Sequence, residues 1–177
     1  MNTKTTASKN SKKIELSARK DGYCISFNAM ASPCEVLIES HSAALANKLG
    51  LSIANEVWRI EDKYSRYSAS SACSQINGSA GKSVPIDQET FLLLNFAEQC
   101  YQLSDGVFDL TSGVLRKVWS FDGSDNIPTK KQVNTCLTYI GWHKIVYDQY
   151  QITLAQGMEL DFGGIGKEYA VDKAIII

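Results

Sequence analysis

Residues 23–29 alternate, with Tyr23, Ile25 and Phe27 on one side and Cys24, Ser26 and Asn28 on the other, the period of a strand. Met30-Ala31-Ser32-Pro33 interrupts that pattern, because proline has no amide to give to a sheet ladder. A second strand resumes over residues 34–39, around Val36, Leu37 and Ile38. The spacing then changes to three and four: Ala46, Leu49, Ile53, Val57, Ile60 and Tyr64 form one apolar stripe of a long helix that Ser42 can cap. Residues 65–81 are polar and rich in serine. Asp87 caps a second helix running to about Leu103, with Phe91, Leu94, Ala97 and Tyr101 facing inward, and Ser104-Asp105-Gly106 ends it.

Beyond Gly106 the pattern predicts a loop with a strand-like centre to Gly113, then a short helical segment over residues 114–119. Thr129-Lys130-Lys131-Gln132 has the form of a capping box and opens a helix to about Tyr139. Residues 144–147 and 151–154 form a hairpin, residues 158–162 a strand, and a helix closes the chain. Paired strands mixed with helices predict an α+β fold with a largely antiparallel sheet and packed helices. No repeat or linker divides it, so residues 21–177 read as one domain, or part of one, behind a disordered polar tail at residues 1–20.

Composition narrows the function classes. A hydrophobic share of 44% and a charged share of 21% fit an ordinary globular protein. A net charge of -1 gives no electrostatic reason for nucleic-acid binding. No apolar run approaches the roughly 18 residues that cross a bilayer, and the N-terminus has no apolar leader, so no membrane segment and a cytoplasmic location are expected. The 5 cysteines are scattered, without the spacing of a disulfide framework or a zinc site. With 2 histidines, any metal would be a hard cation on oxygen ligands.

Four stretches carry possible chemistry. In Leu160-Asp161-Phe162-Gly163-Gly164-Ile165-Gly166-Lys167 a carboxylate precedes a glycine turn and a helix start, where unpaired amides and the helix dipole favour phosphate. Lys167 opposes that dipole unless an anion is bound. The spacing is neither a Walker loop nor a dinucleotide fingerprint, and it equally fits a glycine turn made for packing. In residues 105–115, Asp109 lies between Phe108 and Leu110, a costly place for a carboxylate unless it is hydrogen-bonded; a capped turn is the simpler reading. Tyr67, in Ser65-Arg66-Tyr67, can stack on a planar ring or cover a domain edge, and Met30 sits at the kinked strand junction.

Taken in order, these stretches resemble the FAD:protein FMN transferases, the ApbE family. The resemblance rests on Met30-Ala31-Ser32, Ser65-Arg66-Tyr67 with Ser74-Gln75-Ile76-Asn77, Gly106 to Leu115, Trp119-Ser120-Phe121, Gly141-Trp142, and Leu160 to Asp172. The chain departs from the family pattern in having Ala31-Ser32 for Gly-Thr, Gly166 for alanine and Glu168 for glycine.

The resemblance implies an ApbE-like, T-fold-like architecture of which residues 21–177 form the N-terminal part. It implies Mg2+-dependent transfer of the FMN half of FAD onto a threonine or serine hydroxyl of an acceptor flavoprotein, with AMP released. Met30 and Tyr67 would line the flavin/adenine cleft. Val107, Phe108 and Asp109 would contact FAD, Asp161 would bind it, Lys167 would hold the pyrophosphate, and Gly164 would give a carbonyl to the metal. The nucleophile belongs to the acceptor, so no catalytic nucleophile is expected here. Because family members extend further, little or no transfer is expected of this chain alone. A flavin-binding remnant, an FAD pyrophosphatase and an unrelated interaction domain are the competing readings.

Overall fold

The computed structural model describes residues 12–119 and 127–177. In chain order the elements are strands β1 (Glu15–Arg19), β2 (Gly22–Ala29) and β3 (Ser32–Ile38), helices α1 (Ala43–Tyr64) and α2 (Ala72–Asn77), strand β4 (Ser83–Pro85) and helix α3 (Gln88–Leu103). A 3-10 helix (Leu110–Lys117), helix α4 (Lys130–Leu137), strands β5 (Val146–Tyr147) and β6 (Gln151–Thr153), a 3-10 turn (Phe162–Gly164) and helix α5 (Gly166–Ile175) follow. They gather into two compact units. One runs to Glu61 and takes up again at Lys167–Ile177; the other spans Asp62–Gly166. No helix among the described residues is long and apolar enough to cross a membrane.

In the first unit β1, β2 and β3 form an antiparallel sheet in that order. Ile25 pairs with Leu16 and Val36 across the two ladders and is wholly buried. Gly50 on α1 makes room for it: a Cβ there would meet Ile25 Cγ1 at 2.3 Å. Trp58, also on α1, donates from its indole to the Asn28 carbonyl at 2.8 Å and packs edge-on against Phe27. A cleft of about 820 Å³ is lined by Phe27, Val36, Leu49, Ile53, Ala170 and Ala174.

In the second unit β4, β6 and β5 make a small antiparallel sheet in that spatial order. Leu93 and Leu94 of α3, Ile76 of α2, Ile152 of β6, Leu160 and Phe162 are fully buried. Asp87 caps α3 by accepting from the Thr90 amide at 2.9 Å, and Lys63 reaches both Asp87 and Glu89 at 2.5 Å. Burial opposes the charge on Asp87, yet the bonds from Lys63 and Thr90 outweigh it and hold the carboxyl below its ordinary 3.8.

The helix stripe on α1, the caps at Ser42 and Asp87, the capping box at Thr129 and the hairpin β5–β6 appear where the sequence pattern places them. Five expectations need correction. The polar tail reaches too far, because residues 15–19 are β1; all five side chains are exposed, so only the ladder to β2 marks the strand. Residues 1–11, the rest of that expected tail up to Lys12, lie outside the described residues. The interruption at residues 30–33 is confined to Met30 and Ala31, with φ of 52° and 56°, while Pro33 lies inside β3 opposite Asn28. The serine-rich stretch contains α2, capped by Ser71, whose hydroxyl accepts from the Ser74 amide at 3.0 Å. Residues 158–161 belong to no strand and Phe162 already begins the 3-10 turn, and residues 110–113 are already helical.

Candidate flavin and phosphate site

Asp161 caps the 3-10 turn that follows it, its Oδ1 accepting from the Gly163 amide at 2.9 Å. Its amide donates to the Leu110 carbonyl at 2.9 Å, which fixes the turn to the start of the 3-10 helix Leu110–Lys117. Gly113 makes that approach possible: a Cβ there would lie 2.9 Å from Asp161 and Leu160 backbone atoms. On the other side of the turn the Phe108 ring lies against Gly164, where a Cβ would meet Cε2 at 3.0 Å. The glycine pair therefore answers a packing demand, and it leaves Gly163 and Gly164 exposed.

Asn77 is the residue that holds the segment leading into this turn. Its carboxamide accepts from the Leu160 amide at 2.7 Å and donates to the Leu160 carbonyl at 2.9 Å. A side chain thus stands in for the neighbouring strand that residues 158–161 lack. Buried Cys73 adds a weak thiol bond to the same carbonyl at 3.5 Å, and burial pushes that thiol up to about 12, so it stays neutral and unreactive. The quoted Ser74-Gln75-Ile76-Asn77 motif contained Asn77, but nothing local reveals a partner 83 residues away.

Asp161 Oδ2 is paired with the Arg66 guanidinium, whose other nitrogen donates to the Tyr67 hydroxyl at 2.9 Å. Burial alone would lower the Arg66 pKa, but the Tyr67 bond and the Asp161 charge raise it, so the guanidinium is fully charged. The Tyr67 ring itself is 81% exposed and free to meet a ligand; Val107 is 88% exposed. Phe108 is half-buried and its amide donates to Ser104 Oγ at 2.9 Å.

Asp109 has structural partners on both oxygens. Oδ1 accepts from the Thr111 amide at 2.8 Å and from its hydroxyl at 2.7 Å, and Oδ2 accepts from the Trp142 amide at 3.0 Å. Thr111 Oγ1 in turn accepts from the Gly141 amide at 2.8 Å, joining the Gly141-Trp142 pair to the loop. This is the capped turn that the sequence allowed, extended into a brace.

Met30 and Lys167 belong to the first unit. The Met30 amide donates to Glu61 Oε1 at 2.8 Å, and exposed Lys167 donates to Ser32 Oγ at 3.0 Å. Lys167 is thereby held to the junction after β2, and Glu168 beside it is exposed. The structure brings Tyr67, Val107, Phe108, Asp109, Asp161 and Gly164 together in the second unit, and Met30 with Lys167 in the first. Residues 120 and 121 of the Trp119-Ser120-Phe121 element lie outside the described residues. Among the described residues no group of three or more histidine, cysteine, aspartate or glutamate side chains gathers.

The ApbE family model matches residues 30–177. The chain is 30% identical over 157 residues to a protein named FAD:protein FMN transferase from Klebsiella pneumoniae, covering 85% of this chain and 48% of that relative. A Chlamydia trachomatis protein of the same name is 30% identical over 118 residues, 64% of this chain and 37% of its own length. The fold matches the crystal structure of the ApbE protein of Thermotoga maritima with a TM-score of 0.78 at 27% identity, covering 86% of this chain and 50% of that one. It matches the Pseudomonas stutzeri flavinyl transferase ApbE with a TM-score of 0.71 at 21% identity, covering 93% and 54%. The chain spans about half the length of these solved relatives.

Proposed function

Because this chain belongs to the ApbE family, we propose that it serves Mg2+-dependent transfer of the FMN part of FAD onto a threonine or serine hydroxyl of an acceptor flavoprotein. The hydroxyl oxygen bonds to the phosphorus of the FMN part, the pyrophosphate P–O bond breaks, and AMP leaves with the bridging oxygen. The acceptor hydroxyl loses its proton in the same exchange. Charge on the phosphoryl oxygens is the main obstacle, and fixed positive groups lower it.

The observation that carries this reading is the Asp161–Gly164 turn, braced by Asn77 and Phe108, which runs directly into the helix bearing Lys167. That helix start offers amides and a positive dipole end to phosphate, and Lys167 adds a full charge. Phe108, Val107 and Tyr67 of the second unit present apolar and aromatic surface suited to the ring systems of FAD. Asp109 serves by holding the Phe108 loop in place. A magnesium ion, when bound, supplies charge neutralisation, with the Gly164 carbonyl as one of its oxygen ligands. The relatives bear the transferase name, and no observation favours the remnant or pyrophosphatase readings.

FAD titration with and without Mg2+, followed by flavin fluorescence, tests the reading. Saturable binding that weakens in Lys167→Ala and Asp161→Ala supports it; no binding overturns it. Covalent flavin on a threonine-bearing acceptor protein tests the transfer step. Since the chain spans about half of its relatives' length, little transfer is expected from it alone. A rate equal to that of a full-length relative refutes that last point.

A further inference from the structure

Arg66 lies between Ser65 and Tyr67, and its geometry gives it more to do than link them. One guanidinium nitrogen meets Asp161 Oδ2 and the other donates to the Tyr67 hydroxyl at 2.9 Å. The guanidinium carbon also lies 5.1 Å from the centre of the Tyr67 ring. The Arg66 and Asp161 side chains are 26% and 30% exposed, so the pair is half-screened from water yet reachable by a ligand.

Asp161 has a structural duty, capping its turn through Oδ1, that only needs an acceptor oxygen. Its negative charge is a liability if the ligand carries a pyrophosphate, because like charges brought together in a partly desolvated site repel strongly. Arg66 removes that conflict. The same side chain fixes the direction of a tyrosine ring that is otherwise 81% exposed.

Resting on the flavin reading above, we infer that Arg66 is a positioning residue for FAD: it cancels the Asp161 charge beside the phosphates and aims the Tyr67 ring at the ligand. Arg66 need not touch the reacting atoms. Its effect runs through Asp161, so removing the aspartate charge should remove the need for the arginine.

FAD dissociation constants for the full chain, Arg66→Ala, Asp161→Asn and the double variant test this, each at low and high salt with thermal midpoints as folding controls. Asp161→Asn keeps the oxygen that caps the turn. Arg66→Ala is expected to weaken FAD binding by about tenfold or more at low salt, and less at high salt. Adding Asp161→Asn to it is expected to restore most of that loss, a rescue that a purely structural role for Arg66 would not give. Arg66→Lys keeps the charge without the two-pronged geometry and should fall between. If the unaltered chain binds FAD and Arg66→Ala binds it equally well, or if the double variant is no better than Arg66→Ala, the inference is overturned while the flavin reading stands. If the unaltered chain does not bind FAD, both fall.

Discussion

Replacing Asn77 with alanine removes both hydrogen bonds that its carboxamide makes with Leu160, at 2.7 and 2.9 Å. Leu160 is only 1% exposed, so water cannot take over either role. An orphaned buried amide costs about 1–3 kcal/mol. The carbonyl keeps the weak Cys73 thiol at 3.5 Å, so its loss is nearer the roughly 0.5–1.5 kcal/mol of an ordinary net bond. Together these predict a destabilisation of about 2–4 kcal/mol, a large share of the roughly 5–15 kcal/mol that holds a domain folded. Urea unfolding should register a midpoint lower by about 1–2 M at unchanged slope, taking a typical slope of about 1–3 kcal/mol per M. Asn77→Asp keeps the acceptor for the Leu160 amide but sets a carboxylate against the Leu160 carbonyl, so it should be destabilised as well. A change below about 0.5 kcal/mol in Asn77→Ala would refute the idea that this side chain replaces a neighbouring strand.

Gly164 of the turn and Gly166 at the start of α5 should respond in opposite directions to alanine. Gly164→Ala presses on the Phe108 ring and should lose about 1 kcal/mol and weaken FAD binding. Gly166→Ala meets nothing within 4 Å and should gain about 0.4–1 kcal/mol; thermal midpoints that move together contradict this. Ala31→Gly relieves a φ of 56° and should stabilise by roughly 0.5–1 kcal/mol after the entropy cost of glycine, read from the urea midpoint. Asp87 has a depressed pKa, so its contribution is present above its unfolded value of 3.8 and is lost as the pH falls through the lower folded value. Lys63 is raised, burial notwithstanding, by its bonds to Asp87 and Glu89, so its share is full below 10.5 and lost as the pH rises through the higher folded value. In Lys63→Met the alkaline part of that loss should vanish from the stability profile; an unchanged profile contradicts the assignment.

What the sequence determined by itself is whatever lies within about one helical turn. The stripe on α1, the Ser42, Asp87 and Thr129 caps, the short hairpin and the glycine turn entering α5 depend on residues two to four apart. The ordered motifs were legible for the same reason, and they pointed to the ApbE family. The tertiary structure decided the pairings across long stretches of chain. Residues 158–162 read as a strand, yet the backbone of Leu160 is completed by Asn77, 83 residues away, and that of Asp161 by the Leu110 carbonyl. Arg66 lies 95 residues from the Asp161 it neutralises, and β1 is a strand only because β2 offers it a ladder. Such contacts leave no period in the sequence, since a hydrogen bond closed by folding constrains the two groups that meet and nothing in the residues between them.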